Sequence, residues 1–188
     1  MASILSWLRN IILGRRRGVS PFAAGAGPMR LVVMRHGEKT GDKADRHLSP
    51  AGQKRAEALV DYIPRKFGRP DFLLAAGRNP HSDRPVDTLK PLASALGLAI
   101  IDHLQDENAG GVVDLLSEPR FAGQLGVVSW RHSDIPRLLA ALGAPDGTYP
   151  RPWPEDEYGV LIEIVYRGEG ARPDIKQHTG RFDGSMAP

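Results

Sequence analysis

The hydrophobic positions between residues 30 and 166 form short continuous runs that alternate with longer periodic ones. The continuous runs predict buried strands of a parallel sheet, at 30–35, 71–76, 98–102 and 125–130. A fifth run, at 158–166, alternates enough to predict an antiparallel or edge strand. Because strands and helices alternate along the chain, the pattern predicts a three-layer α/β/α sandwich with a mostly parallel central sheet.

The periodic runs predict the helices between these strands. The clearest covers 49–68, "SPAGQKRAEALVDYIPRKFG", with Ser49 as the N-cap, Pro50 at the first helical position and Gly68 at the end. Similar spacing predicts helices at 86–97 and 109–118, and from 131 to a stop at Gly143.

The two ends of the chain differ from this core. Residues 1–28 read as a basic leader and a flexible linker, 29–167 as the folded domain, and 168–188 as a polar, mobile tail. In the leader, apolar residues at helical spacing end in an arginine cluster and are too few to span a bilayer. Residues 1–17 therefore predict an amphipathic helix on a membrane surface or a partner, with a loosely ordered leader as the alternative.

Composition and charge narrow the classes of function. The net charge is +3, but the first 28 residues carry four arginines and no acid, which leaves −1 for the rest. The basic character thus belongs to the leader, and we expect no nucleic-acid binding by the domain. With no cysteine in the chain, disulfides, thiol catalysis and thiolate metal sites are excluded. We expect a cytoplasmic protein, with the leader as its contact to a membrane.

Two of the predicted buried strands end in the same dipeptide, Arg35-His36 and Arg131-His132. In α/β sheets, ligands bind beyond the carboxyl ends of the parallel strands. Arginine offers a planar pair of donors to phosphate oxygens, and we expect Gly37 to let a ligand approach the backbone closely. Nearby arginines disfavour a further positive charge, so His36 would stay neutral and nucleophilic. The repetition predicts an anion pocket.

Three segments in this order resemble the histidine phosphatase, or phosphoglycerate mutase-like, superfamily, in its small bacterial branch that includes phosphohistidine phosphatases. They are "LVVMRHGEK" (31–39), "HLSPAGQKRAEAL" (47–59) and "VVSWRHSDIPRLLAALG" (127–143). The resemblance covers roughly residues 30 to 166. It implies a two-step phosphoryl transfer in which His36 becomes phosphorylated and water then releases phosphate. Arg35 and His132 would clamp the phosphoryl oxygens, with no metal or cofactor required.

Two further site positions each have two candidate residues. The resemblance implies a second phosphate-binding arginine, for which Arg84 has the expected spacing before Thr88 and Arg78 is the substitute. It also implies, for mutase-like members, a carboxylic acid that protonates the leaving group. Asp106 or Glu107 stands at that place, whereas the phosphohistidine-phosphatase branch manages without it because its leaving group is good.

The sequence therefore predicts a phosphatase that acts on a phosphomonoester or a phosphohistidine, in a phosphorylated small molecule or a phosphoprotein. A phosphate-binding regulatory module with little turnover is the alternative, because the segment around Arg84 departs from the family pattern. A phosphomutase is less favoured, since mutases of this fold carry longer insertions over the site and 188 residues leave little room for them.

Overall fold

The computed structural model describes residues 18–42 and 44–180. The expected leader helix at 1–17 and the last eight residues of the expected tail lie outside this part of the chain. Within it, six strands form one sheet: β1 (Arg30–Arg35), β2 (Phe72–Ala75), β3 (Ile100–Ile101), β4 (Leu125–Trp130), β5 (Val160–Val165) and β6 (Asp174–Thr179).

The strand order is β3-β2-β4-β1-β5-β6. Strands β1 to β4 run parallel, β5 is antiparallel to β1, and β6 is antiparallel to β5. This confirms the mostly parallel sheet and the antiparallel last run of the sequence prediction. Strand β3 is shorter than the predicted 98–102.

Helices cover both faces of the sheet: α1 (Pro50–Phe67), α2 (Arg84–Leu96), α3 (Ala109–Leu116) and α4 (Ile135–Ala141). Side chains alternate along β1, so that Val32 and Met34 pack in the core with α1 and α2. Leu31 and Val33 pack on the opposite face in the core with α3 and α4. The three-layer α/β/α prediction is thereby confirmed.

Local signals set the limits of α1 as the sequence predicted. The Ser49 hydroxyl accepts a hydrogen bond from the Gly52 N–H at 3.1 Å, and Pro50 lacks the N–H that would be unsatisfied there. At the other end, the Gly68 N–H donates to the Pro64 carbonyl at 3.1 Å. Helix α4 differs, because it begins at Ile135 and not directly after His132.

Both flanks of the predicted domain are more ordered than expected. Phe22, placed in the linker, is 3% exposed and packs edge-on against Tyr166 with 5.0 Å between ring centroids. Residues 174–179, placed in the tail, form β6 along the edge of β5. A polar strand serves there because β5 needs backbone partners and the side chains of an edge strand can stay in water.

The helices in the described part of the chain include none that is long and apolar enough to cross a membrane.

Candidate active site

The two Arg-His pairs meet at one edge of the sheet because β1 and β4 are parallel neighbours. The pairing aligns Arg35 with Trp130, and the His36 N–H donates to the Trp130 carbonyl at 3.0 Å. The residues that follow each strand, His36 and Arg131, therefore leave the sheet side by side. Residues 95 positions apart in the chain are thus brought to one place, as the carboxyl-end rule for parallel sheets requires.

His36 has the features of a histidine nucleophile. Its side chain is buried, and Nδ1 lies 2.7 Å from the Gly37 carbonyl oxygen. A carbonyl can only accept, so Nδ1 carries the proton and Nε2 of the neutral ring keeps a free lone pair. Burial lowers the pKa of His36 to about 3. The hydrogen bond with the Gly37 carbonyl acts in the opposite direction, while Arg35, Arg84 and His132 nearby lower this pKa further.

Gly37 follows His36 in the chain, but its contacts lie inside the protein. Its N–H donates to Thr88 Oγ1 at 2.8 Å, and the Thr88 hydroxyl donates to the Arg84 carbonyl at 2.8 Å. A Cβ at position 37 would lie 3.0 Å from the Gly52 carbonyl oxygen. The sequence analysis expected a glycine here for the approach of a ligand, whereas the structure gives close packing against α1 as its reason.

Arg35 is only 1% exposed and is held by the loop that precedes β5. Its Nη1 donates to the backbone carbonyls of this loop, those of Pro154, Glu155 and Glu157. Its Nη2 donates to the Tyr158 hydroxyl at 3.1 Å, and the guanidinium carbon lies 3.8 Å from the Tyr158 ring centroid. The Nε atom is buried and has no hydrogen-bond partner in the structure.

The sequence analysis gave this loop no role. The only local signal was an aromatic residue at the start of the predicted strand run 158–166, next to the polar stretch "PEDE". Tyr158 also lies close to His36, with 6.4 Å between the two ring centroids.

His132 is half-buried beside the same loop. Burial lowers its pKa, and the Arg35 charge lowers it further, while the Glu155 carboxylate acts in the opposite direction. Glu155 is itself paired with Lys39, at 3.0 Å between Oε1 and Nζ. This ion pair joins the loop after β1 to the loop before β5, at the edge of the pocket.

The structure separates the two candidate arginines. Arg84 begins α2, and its charge acts on His36; its Nη1 donates to the Asp45 carbonyl at 2.8 Å, and its Nε is buried without a partner. Arg78 has an exposed side chain that pairs with Asp102 at 3.3 Å. The geometry therefore favours Arg84 as the second arginine.

The two candidate acids also differ. Asp106 is buried, and burial raises the pKa of its carboxyl group, as does a hydrogen bond with Glu107. Glu107 is exposed, and hydrogen bonds from the backbone lower its pKa. A buried carboxyl group with a raised pKa is better suited to donate a proton, so the geometry favours Asp106.

Arg131, which the sequence analysis treated only as half of a repeated dipeptide, pairs with this acid. Its Nη1 lies 2.8 Å from Asp106 Oδ2. The Asp106 carbonyl also accepts a hydrogen bond from the Trp130 indole N–H at 3.0 Å. The loop after β3 is thus attached to the end of β4 at two points.

A groove of about 600 Å³ begins at Ser133, directly after His132, and follows α4 to Arg151 and Pro152.

Within residues 18–42 and 44–180, no group of three or more histidines and acidic residues is arranged to hold a metal ion.

Comparisons with known proteins agree with this geometry at the level of the fold. No protein-family model matches the chain, and no curated protein matches it in sequence. Solved structures do match, and they show that the chain has the fold of the histidine phosphatase superfamily. The resemblance found in the sequence is confirmed to that extent.

Three of these structures illustrate the range of similarity and of named activities among the matches. The putative phosphohistidine phosphatase SixA from Agrobacterium tumefaciens matches with a TM-score of 0.58 and 18% identity, over 82% of this chain and 99% of its own. A mycobacterial glucosyl-3-phosphoglycerate phosphatase matches with a TM-score of 0.53 and 20% identity, over 84% and 100%. A phosphoglycerate mutase from Plasmodium falciparum matches with a TM-score of 0.51 and 12% identity, over 86% and 95%.

Proposed function

We propose that this protein is a metal-independent phosphatase that hydrolyses a phosphomonoester or a phosphohistidine through a phosphohistidine intermediate on His36. The observation that carries the proposal is the state of the His36 ring. The Gly37 carbonyl fixes the proton on Nδ1, and burial keeps the ring neutral, so Nε2 is a nucleophile in neutral solution.

In the first step, Nε2 attacks phosphorus as the bond to the leaving group breaks. The electron pair of that bond moves to the leaving atom, which takes the proton of Asp106. Arg35, Arg84 and His132 stabilise the charge on the phosphoryl oxygens, which is why the step needs no metal ion. When the substrate is a phosphohistidine, its leaving group is good, and Asp106 contributes less.

In the second step, water attacks the phosphoryl group on His36. The bond between phosphorus and Nε2 breaks, its electron pair returns to the ring, and the Asp106 carboxylate accepts the proton of the attacking water. Inorganic phosphate then leaves, His36 is again neutral and unphosphorylated, and Asp106 again carries the proton that it had with the substrate bound.

The comparisons support this class of reaction. Two of the matching structures are named as phosphatases of phosphohistidine and of glucosyl-3-phosphoglycerate, and this chain covers 97% or more of their length. One substrate named there is a phosphorylated protein residue and the other a phosphorylated small molecule. We propose a phosphoprotein or a phosphorylated small molecule as the substrate here.

Hydrolysis of p-nitrophenyl phosphate by the full chain tests the proposal. We expect turnover by the wild type in the presence of EDTA and none above background with His36→Ala. Tight binding of vanadate without turnover by the wild type would overturn the proposal and favour the phosphate-binding module.

We further propose that residues 1–17 bind anionic membranes, on the basis of their apolar spacing and arginine cluster. The test compares the full chain with a chain that begins at Gly18, which retains the buried Phe22. We expect only the full chain to sediment with liposomes that contain phosphatidylglycerol, and neither chain with neutral liposomes. Equal sedimentation of the two chains would rule the proposal out.

A further inference from the structure

Arg131 has more hydrogen-bonding capacity than its ion pair with Asp106 uses. Nη1 makes the 2.8 Å contact with the carboxylate. Nε and Nη2 are buried, and neither has a hydrogen-bond partner in the structure. A buried N–H without an acceptor destabilises the protein, because it has lost water and gained nothing in exchange. The contact with Asp106 therefore uses only part of the hydrogen-bonding capacity of this guanidinium group.

The position of Arg131 shows where an acceptor for these groups would lie. Its positive charge lowers the pKa of Arg84, second only to the effect of burial, so the two guanidinium groups are neighbours. The charge of Arg84 in turn acts on His36. Arg131 directly follows β4, at the position aligned with His36 by the strand register, and its side chain is 18% exposed.

Unused donors are a shared feature of the arginines around His36. Arg35 and Arg84 each keep a buried Nε without a partner, as Arg131 does with Nε and Nη2. These are four buried donors on three cationic side chains beside one nucleophile. An anion with several oxygens is the ligand whose chemistry matches such a set.

We propose that Arg131 is a third anion-binding arginine, which holds Asp106 with Nη1 and binds a non-bridging phosphoryl oxygen of the substrate with its remaining N–H groups. The inference rests on the proposed function in that the bound anion is the phosphoryl group. Arg131 then connects the two halves of the site, because one planar guanidinium contacts both the acid and the phosphoryl group whose leaving group that acid protonates.

The consequence for Asp106 follows from the shared guanidinium. When a phosphoryl oxygen binds Arg131, the anion competes with the Asp106 carboxylate for the same positive charge. The carboxylate loses part of its stabilisation and binds a proton from solvent more readily. Asp106 is therefore supplied with the proton for the leaving group when the substrate is in place.

Binding of inorganic phosphate to the full chain, measured by isothermal titration calorimetry, tests the proposal without any turnover. The informative variant is Arg131→Lys, because an ammonium group can still pair with Asp106 but cannot also reach the phosphoryl oxygen with a planar fork. We expect phosphate binding to weaken about 10-fold or more, since charge-assisted hydrogen bonds are lost. Arg131→Gln, which also loses the charge, should weaken it further.

The matched control is Arg137→Lys, at an arginine of α4 whose side chain is 62% exposed and pairs with Asp134. We expect its phosphate affinity to stay within about twofold of the wild type. Thermal melting of every variant shows whether the fold is retained, and the lysine variant is chosen because it keeps a cation beside Asp106.

Phosphate affinity of Arg131→Lys equal to that of the wild type would overturn the inference, because Arg131 would then serve Asp106 alone. The same titrations in a His36→Ala background distinguish this failure from failure of the proposed function. If the Arg131 effect persists there while the wild type hydrolyses nothing, the anion site stands and the phosphatase proposal falls.

Discussion

The two Arg-His pairs look equivalent in the sequence, yet the register of β1 and β4 offsets them by one residue. Arg35 is paired in register with Trp130, so Arg131 is aligned with His36. Side chains alternate along a strand, and a shift of one residue therefore gives the two arginines different surroundings. Arg35 contacts the loop before β5, and Arg131 contacts Asp106 after β3.

The two histidines differ for the same reason. His36 is 5% exposed, and the Gly37 carbonyl fixes its tautomer. His132 is half-buried, and both Arg35 and Glu155 influence its charge. In the proposed mechanism the repeated dipeptide therefore supplies two different roles, a neutral nucleophile and a ligand for the anion. Repetition in sequence indicated where the site is, but the register of the strands decides what each copy does.

Replacing each histidine with alanine tests this difference most strongly. We expect His36→Ala to lower kcat for p-nitrophenyl phosphate by about 10⁴-fold or more, because no other group supplies Nε2. His132→Ala should lower it by about 10²- to 10³-fold, as for the loss of one donor to the transition state. Steady-state kinetics of the two variants measures both effects.

The control for this pair is His103→Ala, at an exposed position in the loop after β3. Its kcat should match that of the wild type. Losses of the same size at positions 36 and 132 would contradict the assigned roles, because the two histidines would then be interchangeable in the rate-limiting step.

The protonation state of His36 gives a second test. A histidine with the ordinary pKa of about 6.5 is about 99% protonated at pH 4.5. With a pKa lowered to about 3, His36 should remain neutral there, with the proton on Nδ1. Nitrogen-15 NMR of the histidine rings measures both the titration and the tautomer. A His36 midpoint near pH 6.5, or a proton on Nε2, would contradict the proposed nucleophile.

Much of this arrangement could be predicted because its signals are local. Ser49, Pro50 and Gly68 mark the ends of α1 within a few residues of the groups they satisfy. The apolar runs of β1 and β4 identify buried strands, and parallel strands necessarily bring their carboxyl ends together. The fold, and the edge of the sheet at which the two Arg-His pairs meet, therefore followed from the sequence.

The parts that could not be predicted depend on contacts between distant segments. Arg35 is held by Tyr158, 123 residues further along the chain, and nothing near either residue indicates the other. The polar composition of 174–179 is typical of a tail, and only the open edge of β5 makes it a strand. The one-residue offset of the Arg-His pairs is likewise a property of strand register, which no spacing within one strand reveals.

The smallest expected effect comes from the loop that distinguishes Arg35 from Arg131. Tyr158→Phe removes the acceptor for Arg35 Nη2 but keeps the ring beside the guanidinium, and we expect kcat/KM to fall about 3- to 10-fold. Tyr158→Ala also removes the ring contact, and the fall should reach about 10- to 100-fold. Tyr149→Phe, at a buried tyrosine near Asp146, is the control and should leave kcat/KM unchanged. If both Tyr158 variants match the wild type, the backbone carbonyls alone hold Arg35. The two arginines would then differ in the groups that hold them, backbone carbonyls for Arg35 and a carboxylate for Arg131.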